Sequence, residues 1–353
     1  MNVPGACIRI GNRTVGPGHP TFIIAEMSAN HLQDERRAIE IIHAIKGAGA
    51  DAVKIQTYTA DTMTIRCERS EFQIGKGTIW EGKSLYDLYE EASTPWSWQS
   101  RLKSEADSLG LMFFSTPFDE TAVDFLETLD VPAYKIASFE IADLSLIRKA
   151  AQTKKPLIVS TGMSAFQEIQ EALDTARDAG AAGVALLKCT SAYPAPPSEM
   201  NLSTITDLAR KTGVPVGLSD HTLGIEAPIA AVALGACIIE KHFTISRKEP
   251  GPDSAFSLEA SEFKAMVDAV RVTEQALGRV FYGATQAEEA SRVFRRSLFV
   301  VANMKAGEPF NEKNIRAIRP GNGLPPKHLS EIVGKKATRP IERGTPLSWA
   351  LVE

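Results

Sequence analysis

Along the chain from residue 21, short apolar runs alternate with stretches whose apolar positions recur every three or four residues. The runs are TFIIAEMS, DAVKIQT, LMFFST, AYKIAS, PLIVST, VALLKCT, PVGLSD and CIIEKHFT, each read as a strand. Segments such as DERRAIEIIHAIKGAG and AFQEIQEALDTARDAG follow them with helical spacing. Eight strand–helix units suit a (β/α)8 TIM barrel, which typically takes about 250 residues. An open doubly wound sheet is the rival. It usually has fewer units and a glycine-rich turn after the first strand, and here that strand runs into EMSANH.

Two pieces fall outside the repeat. Residues 58–95 make a long connection after the second strand, of a length commonly used for lids or binding loops. Its aromatic residues, Phe72, Trp80, Tyr86 and Tyr89, have two open readings, as anchors of the loop or as substrate contacts. After the eighth helix, GATQAEEASRVFRRS reads as a linker, and a compact tail follows with clear turns at RPGNGLPP and IERGTPL. The expected division is a barrel with an N-terminal cap over residues 1–280, a linker over 281–292 and a small β-rich domain over 293–353.

Composition narrows the chemistry. The 353 residues are 44% hydrophobic and 23% charged, with a formal net charge of −4. That balance gives no general attraction to nucleic acid or an anionic membrane, so any anion must be held by a local basic site. No apolar run approaches the roughly 20 residues of a spanning helix, and the first residues lack the order of a signal peptide. Cys7, Cys67, Cys189 and Cys237 show no CxxC spacing, which reads as free thiols in a reducing compartment and a cytoplasmic location.

In a barrel, chemistry gathers at the C-terminal strand ends. Here all eight end polar: Glu26 and Ser28, then Asn30 and His31; Lys54 and Gln56; Ser115 and Thr116; Lys135, Ser138 and Glu140; Ser160 and Thr161; Lys188, Thr190, Ser191 and Tyr193; Ser219 and His221; Glu240 and His242. Taken singly, each has a plain structural explanation, and Thr161 and Ser164 read as helix N-caps. The coincidence has none. Adjacent strands lie about 4.8 Å apart, so His221 and His242 can share a divalent ion with open positions for water and substrate oxygen. The lysines and hydroxyls form a pocket for a small, multiply charged anion. Fold and charge together suit an aldol-type or condensing enzyme without choosing the reaction.

The same residues resemble the sialic acid synthases, which condense phosphoenolpyruvate with an amino sugar. IIAEMSANH, VKIQT, STPF, PAYKIAS, VSTGM, GLSDHTLG, EKHFT and GPDSAFSLE occur in that family's order, and the tail is similar to its C-terminal antifreeze-like (SAF) domain. GTIWEGKSLYDLYEEASTPW, LLKCTSAYPAPP and FRRSL resemble its pseudaminic acid branch. Where N-acetylneuraminate synthases typically carry His and Asn, this chain has Lys188 and Ser191, and that departure is expected to fall in the pocket. The resemblance implies that Lys54, Thr116, Lys135, Ser138, Ser160, Ser191 and Ser219 hold phosphoenolpyruvate. It further implies that His221 and His242 ligate Mn2+ or Mg2+, and that Glu26 lies near the reacting centre. Gln56, Glu140, Tyr193 and Asp253 would position the sugar, with Arg319 entering from the partner in a domain-swapped homodimer. Lys241 is expected to face outward, away from the site.

Overall fold

The computed structural model describes residues 7–353, and the six residues before Cys7, on which part of the leader expectation rests, lie outside them. The chain divides into two compact units after Gly278. The first opens with a hairpin, β1 (Ile8–Ile10) and β2 (Arg13–Val15), paired antiparallel. Alternating IRI and RTV around Gly11-Asn12 was the available sign of it. Ile10 and Val15 are buried beneath the barrel. Arg13 pairs with Asp51, which also receives Arg271 at 3.2 Å and the N–H of Ile23 at 2.9 Å. The hairpin therefore closes the end opposite the polar strand tips.

Eight parallel strands follow: β3 (Phe22–Glu26), β4 (Ala52–Thr57), β5 (Met112–Pro117), β6 (Tyr134–Ile136), β7 (Leu157–Ser160), β8 (Val184–Cys189), β9 (Val216–Asp220) and β10 (Ile238–Thr244). Each pairs with the next, and β10 returns to β3, closing the barrel. A two-residue strand, β11 (Leu258–Glu259), adds to β10 at the rim. The strands are apolar at their starts because both faces are covered, by the packed interior and by helices. The helix Glu35–Ala48 shows the local logic. Asp34 caps its start through the N–H of Arg36, Ala38, Ile41, Ile42 and Ile45 form its buried stripe, and Gly49 at φ 86° ends it.

Thr161 and Ser164 do not cap the next helix as expected. Thr161 donates to the carbonyl of Leu187 and Ser164 to that of Gly162. The helix Phe166–Asp178 starts instead at Ala165, whose N–H donates to Glu168 at 2.7 Å. The acidic residue three positions on supplies one half of a capping box, accepting the N-cap N–H, while alanine at the N-cap offers no oxygen to the first turn.

The second unit has its own small core, with Leu298, Val300, Phe310, Ile315 and Leu351 among it. Its strands β12 (Ser297–Val300) and β13 (Ile315–Ile318) pair antiparallel, and isolated bridges such as Met304 to Ile341 complete a β-rich, turn-dominated tail. The segment expected as a linker carries an exposed 3₁₀ turn, Gln286–Phe294. Among the described residues no helix is long and apolar enough to cross a membrane.

Candidate active site

Register assembles the floor of the site. Glu26 on β3 lies beside Lys54 on β4 and His242 on β10, while Gln56 lies beside Thr116 on β5. Strand alternation turns Glu26, Lys54, Gln56, Thr116, Lys135, Ser219, Glu240 and His242 inward together. Lys54 pairs with Glu26, approaches Glu240 at 3.2 Å, and donates to Thr116 at 3.3 Å. Lys135 sits 3.7 Å from Glu240 and donates to the carbonyl of Ile136. Ser219 donates to Glu240 at 3.0 Å.

Two lysines thus share two glutamates in a fully buried quartet. Burial raises the Glu26 carboxyl above its usual range and outweighs the lowering by Lys54. Burial pushes Glu240 the same way, but Lys135 and Lys54 overcome it and hold that carboxylate below its usual range. Burial lowers Lys135, whereas Lys54 ends above its ordinary value because both glutamates offset its burial. Glu240 serves as the counter-ion for both lysines, a role not read from the sequence. Its place two residues before His242, on the same strand face, was the signal.

Beside the lysines lies a cradle. The N–H of Gly162 donates to Ser138 at 3.0 Å, and the buried hydroxyl of Ser160 has no partner. A Cβ on Gly162 would stand 2.4 Å from the Ser191 hydroxyl and 2.7 Å from that of Ser138. Only glycine leaves this space open. The expected set of Lys54, Thr116, Lys135, Ser138, Ser160, Ser191 and Ser219 thus lies at the C-terminal ends of six successive strands, β4 to β9.

Lys188 is a correction. Alternation on β8 turns Cys189 inward and Lys188 away, so Lys188 donates to the carbonyl of Cys189 at 2.6 Å and to Thr190, off the pocket. Cys189 was missed. Its sulfur lies 3.7 Å from the Ser191 hydroxyl and 3.9 Å from Nδ1 of His221. Burial raises the thiol, but His221, Ser138 and Lys135 bring it down to about 6. Lys241 points away from the site, as expected, but it is not solvated. It is 1% exposed, because it is sealed under the helices with Asp220.

The two imidazoles stand with ring centres 5.3 Å apart. Nδ1 of His221 donates to the carbonyl of Thr190 at 3.0 Å, which fixes the proton there and leaves Nε2 with a free lone pair. Nδ1 of His242 is buried without a partner, and burial holds this ring well below the usual range, hence neutral. Burial lowers the His221 ring as well, but Cys189 and the Thr190 carbonyl outweigh it and raise that ring above its usual range. Paired imidazole nitrogens are a donor set that fits a divalent cation. Among the described residues no third His, Cys, Asp or Glu joins them in a ligand cluster, so other positions would fall to water or substrate oxygen. His31, by contrast, is a packing residue: it accepts from Gln33, bonds Thr94 and meets Trp98 edge-on.

Above the floor opens a chamber of about 360 Å³. Gln56, Glu140, Tyr193, Asp253 and His242 all line it. Gln56 donates to Glu26 at 3.1 Å and to Ser28 at 3.0 Å, and Ser28 donates to Asp253. Burial raises Asp253 and brings Glu140 up to about 7. The 58–95 connection forms the outer wall. Trp80 both anchors it, donating to the carbonyl of Pro252 at 2.8 Å, and lines the chamber, as does Tyr89. Tyr86 is an anchor, bonded to Asp61 beneath the guanidinium of Arg66, and Phe72 does not line the chamber. Arg319 belongs to the second unit, exposed at the end of β13 and outside that unit's ion pairs, Arg292–Glu289 and His328–Glu331.

A closed parallel barrel with paired imidazoles, buried lysines and clustered hydroxyls at its strand tips is a TIM-barrel enzyme fold. The chain belongs to the NeuB family, which it matches over residues 41–282, and it matches the SAF domain over residues 295–353. It is 46% identical to the pseudaminic acid synthase of Helicobacter pylori, covering 93% of this chain and 97% of the relative. It is 38% identical to the N,N'-diacetyllegionaminic acid synthase of Legionella pneumophila, covering 97% and 98%. Among solved structures it resembles the N-acetylneuraminic acid (sialic acid) synthetase of Leptospira borgpetersenii in complex with citrate. The TM-score is 0.74 at 31% identity, over 82% of this chain and 96% of that one.

Proposed function

We propose that this enzyme condenses phosphoenolpyruvate with 2,4-diacetamido-2,4,6-trideoxy-L-altrose and water, giving pseudaminic acid and phosphate. The observation that carries this reading is the lysine pair and hydroxyl cradle beside two paired imidazoles on one barrel floor. The 46% identity to pseudaminic acid synthases selects the sugar.

Phosphoenolpyruvate brings roughly three negative charges. Lys54 and Lys135 offset them, while Ser138, Ser160 and Ser191 hold the remaining oxygens, with the Gly162 N–H orienting the Ser138 hydroxyl and Thr116 and Ser219 steadying the lysine side. A divalent ion, Mn2+ or Mg2+, held by His221 and His242 would polarise the sugar aldehyde. Gln56, Glu140, Tyr193 and Asp253 orient the open-chain sugar so that the enol carbon reaches the aldehyde carbon. Carbon–carbon bond formation leaves positive character at the second carbon of phosphoenolpyruvate, where water adds. Glu26, released from Lys54 by the anion and held by Gln56, takes the proton of that water. The tetrahedral adduct then loses phosphate by C–O cleavage, with Lys54 and Lys135 stabilising the departing charge.

The reading includes a cytoplasmic enzyme, which four unpaired cysteines suit. It also includes a domain-swapped homodimer in which the exposed Arg319 serves the partner's sugar site. Mixing Arg319→Ala with His242→Ala chains should restore one complete site per dimer; no recovery would remove the exchange.

Phosphate release from phosphoenolpyruvate, measured with the candidate amino sugars, tests the reaction. Fastest release is expected with the diacetamido trideoxy altrose. Release only with N-acetylmannosamine or the legionaminate precursor would move the chain to a sibling activity, and no release with any sugar would overturn the reading.

A further inference from the structure

The chamber over the barrel floor has two unlike halves. Its floor is polar, with Gln56, Glu140, Asp253 and His242. Its outer half is apolar, built by Met63, Ile74, Leu85, Leu88 and Tyr89 of the 58–95 connection, with Phe118 after β5. The condensation itself uses only the floor and the anion cradle. An apolar wall this extensive needs another explanation. A hydroxyl set against it would give up water and gain no partner, whereas a methyl group gains contact. Within the polar half, Oε2 of Glu140 is buried without a hydrogen-bond partner, an acceptor waiting for a donor.

We propose that the wall of Met63, Ile74 and Leu88 selects the substrate by its far end. It accepts sugars whose distal carbons end in methyl groups, an acetamido group and a deoxy carbon, and disfavours sugars with hydroxyls there. Glu140, in the polar half, accepts the amide N–H that accompanies the acetamido methyl. This inference rests on the proposed reaction and adds the residues that set its sugar preference.

The test uses Ile74→Asn and Met63→Gln. Both side chains are half-buried, and Ile74 is held by its backbone, bonded to Lys83 and Gly82, so the turn does not depend on its side chain. Phosphate release at saturating phosphoenolpyruvate is compared for 2,4-diacetamido-2,4,6-trideoxy-L-altrose and N-acetylmannosamine. An apolar pocket discriminates a missing or added group by roughly 10- to 200-fold. The unmodified enzyme should therefore favour the first sugar by about 100-fold in kcat/KM, and each variant should cut that ratio about tenfold. The KM for phosphoenolpyruvate should stay unchanged. A ratio unmoved in both variants overturns the inference and leaves the reaction standing. A phosphoenolpyruvate KM that shifts in step with the ratio also overturns it, since the wall would then support the fold generally. An unmodified enzyme that releases no phosphate with either sugar overturns the proposed reaction itself.

Discussion

Two sets of buried lysine and carboxylate lie within one strand of each other, and they do opposite things. On the outer face of β9 and β10, Lys241 pairs with Asp220 and donates to the carbonyl of Thr222 at 2.6 Å. Asp220 in turn accepts the N–H of Thr222 at 3.0 Å and its hydroxyl at 3.1 Å. That pair leaves neither side chain with an orphaned buried atom. On the inner face, Lys54 and Lys135 share Glu26 and Glu240, one contact stretches to 3.7 Å, and the Ser160 hydroxyl beside them is unpartnered. The closed network spends its charges on the fold, and the open one, under the proposed function, keeps capacity for an anion. Burial of a lysine is therefore a poor guide to its role; whether its partners are complete is a better one.

The largest effect should come from breaking the closed pair. Lys241→Met leaves Asp220 buried and uncompensated, at a cost of about 3–5 kcal/mol in denaturant unfolding. Replacing both, as Lys241→Met with Asp220→Leu, should recover most of that loss. If the single variant unfolds at the wild-type midpoint, the pair is not the closed unit described.

The open set should respond in binding rather than stability. Gly162→Ala places a methyl between the hydroxyls of Ser138 and Ser191. A lost charge-assisted contact is worth about 1.5–3 kcal/mol, so the KM for phosphoenolpyruvate should rise by at least about tenfold. An unchanged KM would move the anion elsewhere.

The smallest effect concerns Glu140, whose buried carboxyl holds its proton up to about 7, against an ordinary value of 4.5. Between those values the folded state binds more protons than the unfolded chain. Its contribution to stability is thus present below pH 4.5 and lost as pH rises through about 7. Glu140→Gln should lose less stability than wild type across that window, and parallel curves would show that burial does not perturb this group.

Much of this was legible in the sequence, for a definite reason. Apolar strand starts and polar strand ends mark a barrel and its active rim in one pattern, so all eight strands and the lysine, serine and histidine set could be read. Alternation also contained the inward Glu240 and Cys189 and the outward Lys188, once His242 fixed which face was inside. What could not be read was completeness of pairing. Lys135 and Lys241 sit in similar apolar runs, and only the 3.7 Å approach of Glu240 to the one and the close Asp220 and Thr222 of the other tell them apart. The apolar wall of the chamber was hidden for a related reason: Ile74, Leu88 and Phe118 meet the floor across separations that no local pattern encodes.

The central claim is that the open inner set, and not the closed outer pair, holds phosphoenolpyruvate. Calorimetric titration of phosphoenolpyruvate into Lys54→Met, Lys135→Met and the Lys241→Met/Asp220→Leu double variant tests it directly. Each inner variant should bind at least about tenfold more weakly, the loss of one charge-assisted contact, while the outer double variant binds as the unmodified enzyme does. Wild-type affinity in both inner variants would contradict the account.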